Sequence, residues 1–193
     1  MTAFLTIATS LFILLLPDCA WAWGFGVHLQ LGNRLLENLG LLSPALQHLL
    51  TYYSADFLYG SISADITLGK KYTHYLKHCH SWNMGFQVLD AADNDAQRAC
   101  AYGYLAHLAA DTVAHSYMVP FKMVRSYNTV LLNHAYWELR FESKIPDHIW
   151  QEARLLAWLD FKQHDQLLRR VLVNTLFSFG TNKRLFNSML LIS

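Results

Sequence analysis

Apolar residues along this chain recur at helical intervals rather than in alternation. Leu29, Leu31, Leu35, Leu36 and Leu39 form one series, Ala99 to Val113 a second, and Leu155, Leu156, Leu159, Leu167, Leu168 and Leu172 a third. Each spacing predicts a helix with one buried face. Breaker signals at Gly40 to Pro44, Gly69 to Thr73, Pro120, Pro146 and Gly180 divide the series. The stretch from Asp147 to Phe179 is expected to be helical with an interruption near Asp160 to Gln163, packing against the helices before it. Met189 to Ile192 read as a packed end or as the stub of a short domain. No strand-like alternation is sustained, so the expected fold class is all-α.

The amino terminus reads differently. Ala3 to Leu16 is an uncharged apolar run, followed by Pro17, Asp18 and the small-residue pattern Ala20-Trp21-Ala22. This is the pattern of a signal peptide with its cleavage site, and the run is short of the roughly 20 residues that span a bilayer. The expectation is therefore a signal peptide at residues 1–22, one domain at residues 23–193, and export to the periplasm or the medium. A second reading keeps the run as an uncleaved anchor.

Charge narrows the function less than the pattern does. Fifteen Lys and Arg against fourteen Asp and Glu give a net charge of +1, which lends nucleic-acid binding no special support. Arg169, Arg170, Lys183 and Arg184 read as a solvated face. Beyond the leader two cysteines remain, Cys79 and Cys100. In an exported protein they are candidates for one disulfide, although sequence alone does not bring them together.

The candidate chemistry lies in two i,i+4 sets. His107, Asp111 and His115 are spaced to share one helix face, and His134 and Glu138 repeat the spacing on the next helix. Their neighbours, Ala99 to Leu108 and Tyr136 to Phe141, are largely apolar, so these polar groups are expected to point into a core. Buried imidazoles and carboxylates are costly unless satisfied, and a metal satisfies them together. Either motif alone is a weak signal, but two on neighbouring helices is much less so. Imidazole with carboxylate suits zinc, and also accepts iron or manganese.

With these residues in place, the chain resembles the zinc-dependent phospholipases C, which share a fold and a metal site with single-strand-specific zinc nucleases. The resemblance begins at Trp23-Gly24-Phe25-Gly26-Val27-His28 and continues through Asp65, His80, His107-x-x-x-Asp111 and His134-x-x-x-Glu138. It implies three zinc ions in one multi-helix domain. Asp65, His80, His107 and Asp111 would hold the first ion, and Trp23, His28 and Asp111 the second. The third would be held by His115, His134 and Glu138. Trp23 would ligate through the amine freed by cleavage after Ala22, a group whose pKa of about 7.7–8.0 lets it ligate near neutrality. His115 follows Asp111 by four positions, where better-known members leave six. His78 competes with His80, since both would point the same way in an extended segment.

The reaction implied is hydrolysis of a phosphodiester by metal-activated water, with a phospholipid as the expected substrate and transient contact with a membrane surface. Asp111 would bridge two ions, and Asp65 is the candidate to accept a proton from the attacking water. Aromatic residues are dense around the early ligands: Tyr52, Tyr53, Phe57, Tyr59, Tyr72, Tyr75, Trp82 and Phe86. Such residues are more often core and rim than a lipid platform. The alternatives are a single-strand nuclease or nucleotidase on the same site, with nucleic acid as partner, and a non-catalytic envelope protein that binds metal.

Overall fold

The structure is a computed structural model that describes residues 24–67, 78–125, 133–172 and 178–192, without the side chains of residues 133–135. The leader and Trp23, the segment containing Gly69 to Thr73 with Tyr72 and Tyr75, and the His134 side chain all lie outside the described residues.

The described residues are helical and contain no strand, as the periodicity predicts. In chain order they form α1 (Phe25–Leu36), α2 (Pro44–Tyr52), α3 (Ser54–Ser63) and α4 (Trp82–Asp90). Next come α5 (Asp95–Val113), a π turn (Ala114–Met118) and α6 (Val119–Arg125). The chain closes with α7 (Asn133–Glu142), α8 (Asp147–Trp158), α9 (Lys162–Val171) and α10 (Phe179–Ile192).

Helix α5 is the centre of the molecule because it is buried on more than one side. Ala99, Cys100, Ala101, Tyr104, His107 and Leu108 are all at most 1 % exposed, and α1, α3, α4 and α9 pack around it. Its start is fixed by the Asn94 side chain, which accepts the Gln97 N–H at 2.9 Å, while the Gln97 side chain accepts the Asp93 N–H at 2.8 Å. Its closest partner is α3. A Cβ added to Gly60 would overlap the Cys100 carbonyl, and one added to Gly103 would overlap the Phe57 carbonyl. Only glycine permits backbones to approach this closely.

The carboxy-terminal half closes the core. The helical stretch from Asp147 breaks at 159–161, next to the expected interruption, and Pro146 caps α8 at its start. Helix α8 packs on α1 and α10, and α9 on α4 and α5. Lys183 of α10 donates to the Tyr59 hydroxyl at 2.6 Å, which in turn donates to Asp165. Burial lowers the Lys183 pKa and raises that of Tyr59. Phe186 and Leu190 are buried, whereas Leu191 and Ile192 are exposed, so Met189 to Ile192 pack on one side only.

Some positions depart from the pattern. Leu31, Val113 and Leu155 are exposed on the outward sides of their helices, and Leu159 is exposed in the break after α8. Pro120 does not end a helix. It sits in the first turn of α6, immediately after the π turn, where the widened backbone spares the hydrogen bond that proline lacks. Phe57 and Tyr59 are core, whereas Tyr52, Trp82 and Phe86 are exposed.

Cys79 and Cys100 are both buried and unbridged. Burial pushes the Cys100 thiol pKa up, with the nearby carboxylates of Asp56 and Asp165 adding to it, so little reactive thiolate forms. Cys100 is expected to resist iodoacetamide in the native protein and to react on unfolding, followed by mass spectrometry. Rapid native alkylation would contradict this burial. Gly60→Ala is expected to cost about 3 kcal/mol or more, the upper range for overpacking, measured by urea denaturation; a change within error would show that the α3–α5 contact can relax.

Candidate metal centre

The close α3–α5 crossing sets the first part of the site. It places the Ser61 carbonyl oxygen 2.9 Å from His107 Nδ1. His107 donates Nδ1–H to that carbonyl, which leaves the Nε2 lone pair directed the other way. One turn later on α5, Asp111 brings Oδ2 to 3.4 Å from that Nε2. The 3-10 turn Ala64–Ile66 at the end of α3 supplies Asp65.

Two further segments converge on the same point. Helix α1 stacks His28 on His107, with ring centroids 3.7 Å apart, and its Nε2 lies 3.2 Å from Asp111 Oδ1. The turn before α4 brings His80 Nε2 to 3.0 Å from His107 Nε2, 3.2 Å from Asp111 Oδ2 and 3.3 Å from Asp65 Oδ1. His80 rather than His78 therefore enters the cluster. The segment is turned, not extended, as the Ser81 N–H bond to the His78 carbonyl at 2.8 Å shows. The His78 ring instead lies edge-on beside His80, with centroids 5.6 Å apart, and its Nδ1 accepts the His80 N–H at 3.1 Å; His78, Cys79 and His80 are themselves close enough to share an ion.

Burial grades across the cluster. Side-chain exposure is 0–1 % for His107 and His28, 8 % for Asp111, 13 % for His80, 17 % for Asp65 and 29 % for His115. Asp65, His80 and His115 are thus the more exposed members of the cluster. Burial alone would raise the Asp111 pKa, but the adjacent His107 and His28 imidazoles hold it well below the ordinary carboxylate range. Burial, reinforced by His107, lowers the pKa of His28 and favours the neutral ring. A carboxylate anion beside a neutral imidazole is the pair of protonation states that metal ligation requires.

The donor set fits a metal on two further grounds. Both His28 ring nitrogens and both Asp111 oxygens are buried without an aligned hydrogen bond, a costly arrangement unless another group engages them. The distances of 3.0–3.4 Å among His28, His80, His107, Asp65 and Asp111 also resemble the edges of a tetrahedron, about 3.4 Å for metal–nitrogen bonds of about 2.0–2.1 Å. Two groups, His28 with His107 and Asp111, and Asp65 with His80 and His107, each lie close enough to share an ion.

The remaining residues are looser. His115 lies on the π turn rather than on a continuation of α5, with Nε2 3.9 Å from Asp111 Oδ1 and Nδ1 3.9 Å from Glu138 Oε1. Glu138 is buried on α7. The backbone of His134 belongs to the same helix, but its side chain lies outside the described residues, as does Trp23.

Sequence reading missed the supporting roles of Cys79, Tyr104, Glu142 and Ser61. The Cys79 thiol lies 3.2 Å from His80 Nδ1, and the Cys79 carbonyl accepts the Tyr104 hydroxyl at 2.5 Å. The first contact holds the His80 ring, and the second holds the turn that carries it. Glu142 accepts the Gly26 and Val27 N–H groups at 2.9 and 3.2 Å, capping α1 from a helix far along the chain. Gly24 has no side chain with which to cap, and a Cβ there would overlap the Glu142 carboxyl. The signal for Glu142 was present, since it continues the four-residue interval from His134 and Glu138. The Ser61 contact is a backbone one and left no mark in the sequence.

No curated protein and no solved structure matches the chain significantly. The sequence model described as zinc dependent phospholipase C matches residues 27–173. That interval covers most of the chain and includes each of the clustered residues. With a helical fold and buried His and Asp groups able to hold metal, this chain belongs to the zinc-dependent phospholipase C family.

Proposed function

We propose that the protein hydrolyses the phosphodiester of a phospholipid, at a zinc centre built from Asp65, His80, His107 and Asp111 together with His28 and the Trp23 amine. The observation that carries the reading is Asp111. Its two oxygens face different imidazoles, Oδ1 towards His28 and Oδ2 towards His80 and His107, as one carboxylate serving two ions would require.

Zinc at such a centre lowers the pKa of water and polarises phosphoryl oxygen. The chain's own residues do the rest. His107, fixed by Ser61, and His80, steadied by Cys79, present their Nε2 atoms to the centre. Asp65 occupies the more open side, where its carboxylate can accept a proton from an attacking water. Glu142 holds the start of α1, and with it the position of His28. His115, Glu138 and His134 are proposed to hold a third ion, with the wider spacing around His115 matching its more exposed position. Cleavage after Ala22 and export follow from the leader. Among the described residues no helix is long and apolar enough to cross a membrane.

Asp111→Asn is expected to lower phosphodiesterase kcat/KM by roughly 10²–10³-fold or more, the scale of removing a group that fixes transition-state charge, and to reduce bound zinc. Zinc content by elemental analysis and turnover of dispersed short-chain phosphatidylcholine check both; unchanged values would remove the bridging role. Native mass spectrometry of the exported protein is expected to give a chain beginning at Trp23 with bound zinc, lost with activity on chelation. A chain that retains residues 1–22, or carries zinc yet cleaves neither phosphatidylcholine nor a single-stranded oligonucleotide, would favour the anchored or the non-catalytic reading. Cleavage of the oligonucleotide alone would favour a nuclease.

A further inference from the structure

The helices that carry Asp111, His115 and Glu138 have outward faces unusually rich in apolar side chains. Along the run from the end of α5 through the π turn into α6, Val113, Tyr117, Phe121 and Val124 are 53, 70, 56 and 76 % exposed. Helix α7 packs against α6 and adds Tyr136 and Leu139, 49 and 70 % exposed. The two helices are joined by a side-chain contact in which the Lys122 ammonium lies 5.3 Å from the Trp137 ring. The Arg125 guanidinium lies 5.4 Å from the Phe121 ring, on the exposed surface.

The charge around these residues has one sign. Residues 113–145 contain Lys122, Arg125, Arg140 and Lys144 against only Glu138 and Glu142. Both acids are turned inward: Glu138 is 4 % exposed, and Glu142 is engaged with the backbone of α1. The exposed charge contributed by residues 113–145 is therefore entirely basic. Another exposed apolar group, Leu155, Trp158 and Leu159 at the end of α8, lacks this property, because exposed Asp160 stands beside it.

Apolar and aromatic side chains rimmed by cations of one sign suit a headgroup layer. Aliphatic groups enter the acyl boundary, tyrosines sit at headgroup depth, and Lys and Arg extend to lipid phosphates. A neutral protein groove would supply the apolar contacts but would leave the basic rim without complement. We propose that the outward faces of α6 and α7 form a docking surface for an anionic lipid bilayer. It brings helices of the metal centre to the membrane, and this purpose rests on the phospholipid reading above. Phe121 and Val124 supply the insertion, and Arg125 and Arg140 the attraction.

Sedimentation of the purified, zinc-loaded protein with phosphatidylcholine vesicles, with and without phosphatidylglycerol, tests this. Binding is expected to be stronger with phosphatidylglycerol. Each exposed cation near an anionic surface contributes roughly fivefold, so Arg125→Glu with Arg140→Glu should lower the partition coefficient at least about tenfold. Phe121→Ser with Val124→Ser should weaken binding to both kinds of vesicle. Both double variants should keep the wild-type Tm and zinc content. Wild-type partition by both variants would overturn the proposal, as would a concentration-dependent dimer abolished by Phe121→Ser with Val124→Ser, which would make a second copy the occupant. Vesicle binding without hydrolysis of any phosphatidylcholine would support the surface and remove the phospholipase reading. Hydrolysis of dispersed short-chain ester without vesicle binding would do the reverse.

Discussion

Two glycines set the geometry on which the metal centre depends. Gly60 and Gly103 let α3 and α5 meet backbone to backbone, and that contact has a chemical consequence. It puts the Ser61 carbonyl against His107 Nδ1, which fixes the tautomer and aims Nε2 at Asp111 and His80. The carbonyl acts as the outer partner that orients a ligating imidazole. Because it belongs to the backbone of the packed helix, the precision of the ligand derives from the precision of the core. Asp65 follows in the next turn of the same chain segment, so one helix contact orients two of the cluster's side chains.

The cluster is expensive for an apolar core. His28, His107 and Asp111 are nearly inaccessible, and several of their polar atoms lack aligned hydrogen bonds. Burial of this kind is tolerated where the groups are satisfied together, and the His and Asp groups are placed so that a metal ion could do so. The protein lowers part of the cost through complementary electrostatics: Asp111 is held ionised and His28 is biased towards neutrality. Exposure rises from His28 and His107 towards Asp65, His80 and His115, so the cluster has one deeply buried side and one more exposed side.

The amino-terminal helix is held from a distance. Glu142 caps α1 because Gly24 cannot, and an acidic group at a helix start is also favoured by the helix dipole. This contact joins the helix of His28 to the helix of Glu138. The outward faces of α6 and α7 complete the division of labour, with acids turned inward to the site and cations and apolar groups turned to the surroundings.

Sequence alone determined the helical class, the break after α8, and the inward placement of His107, Asp111 and Glu138, because each is a local consequence of hydrophobic period and four-residue spacing. It also carried the order of the ligand set, which is what the family resemblance rests on. Tertiary structure decided what spacing cannot express. The turn at residues 78–81 selected His80 over His78, and the π turn after Val113 let a proline continue a helix while moving His115 off a regular face. The α3–α5 crossing recruited a backbone carbonyl, and the fold brought Glu142 to a helix more than a hundred residues earlier in the chain. These outcomes depend on contacts between segments remote in sequence, whose energies are summed only when the core closes.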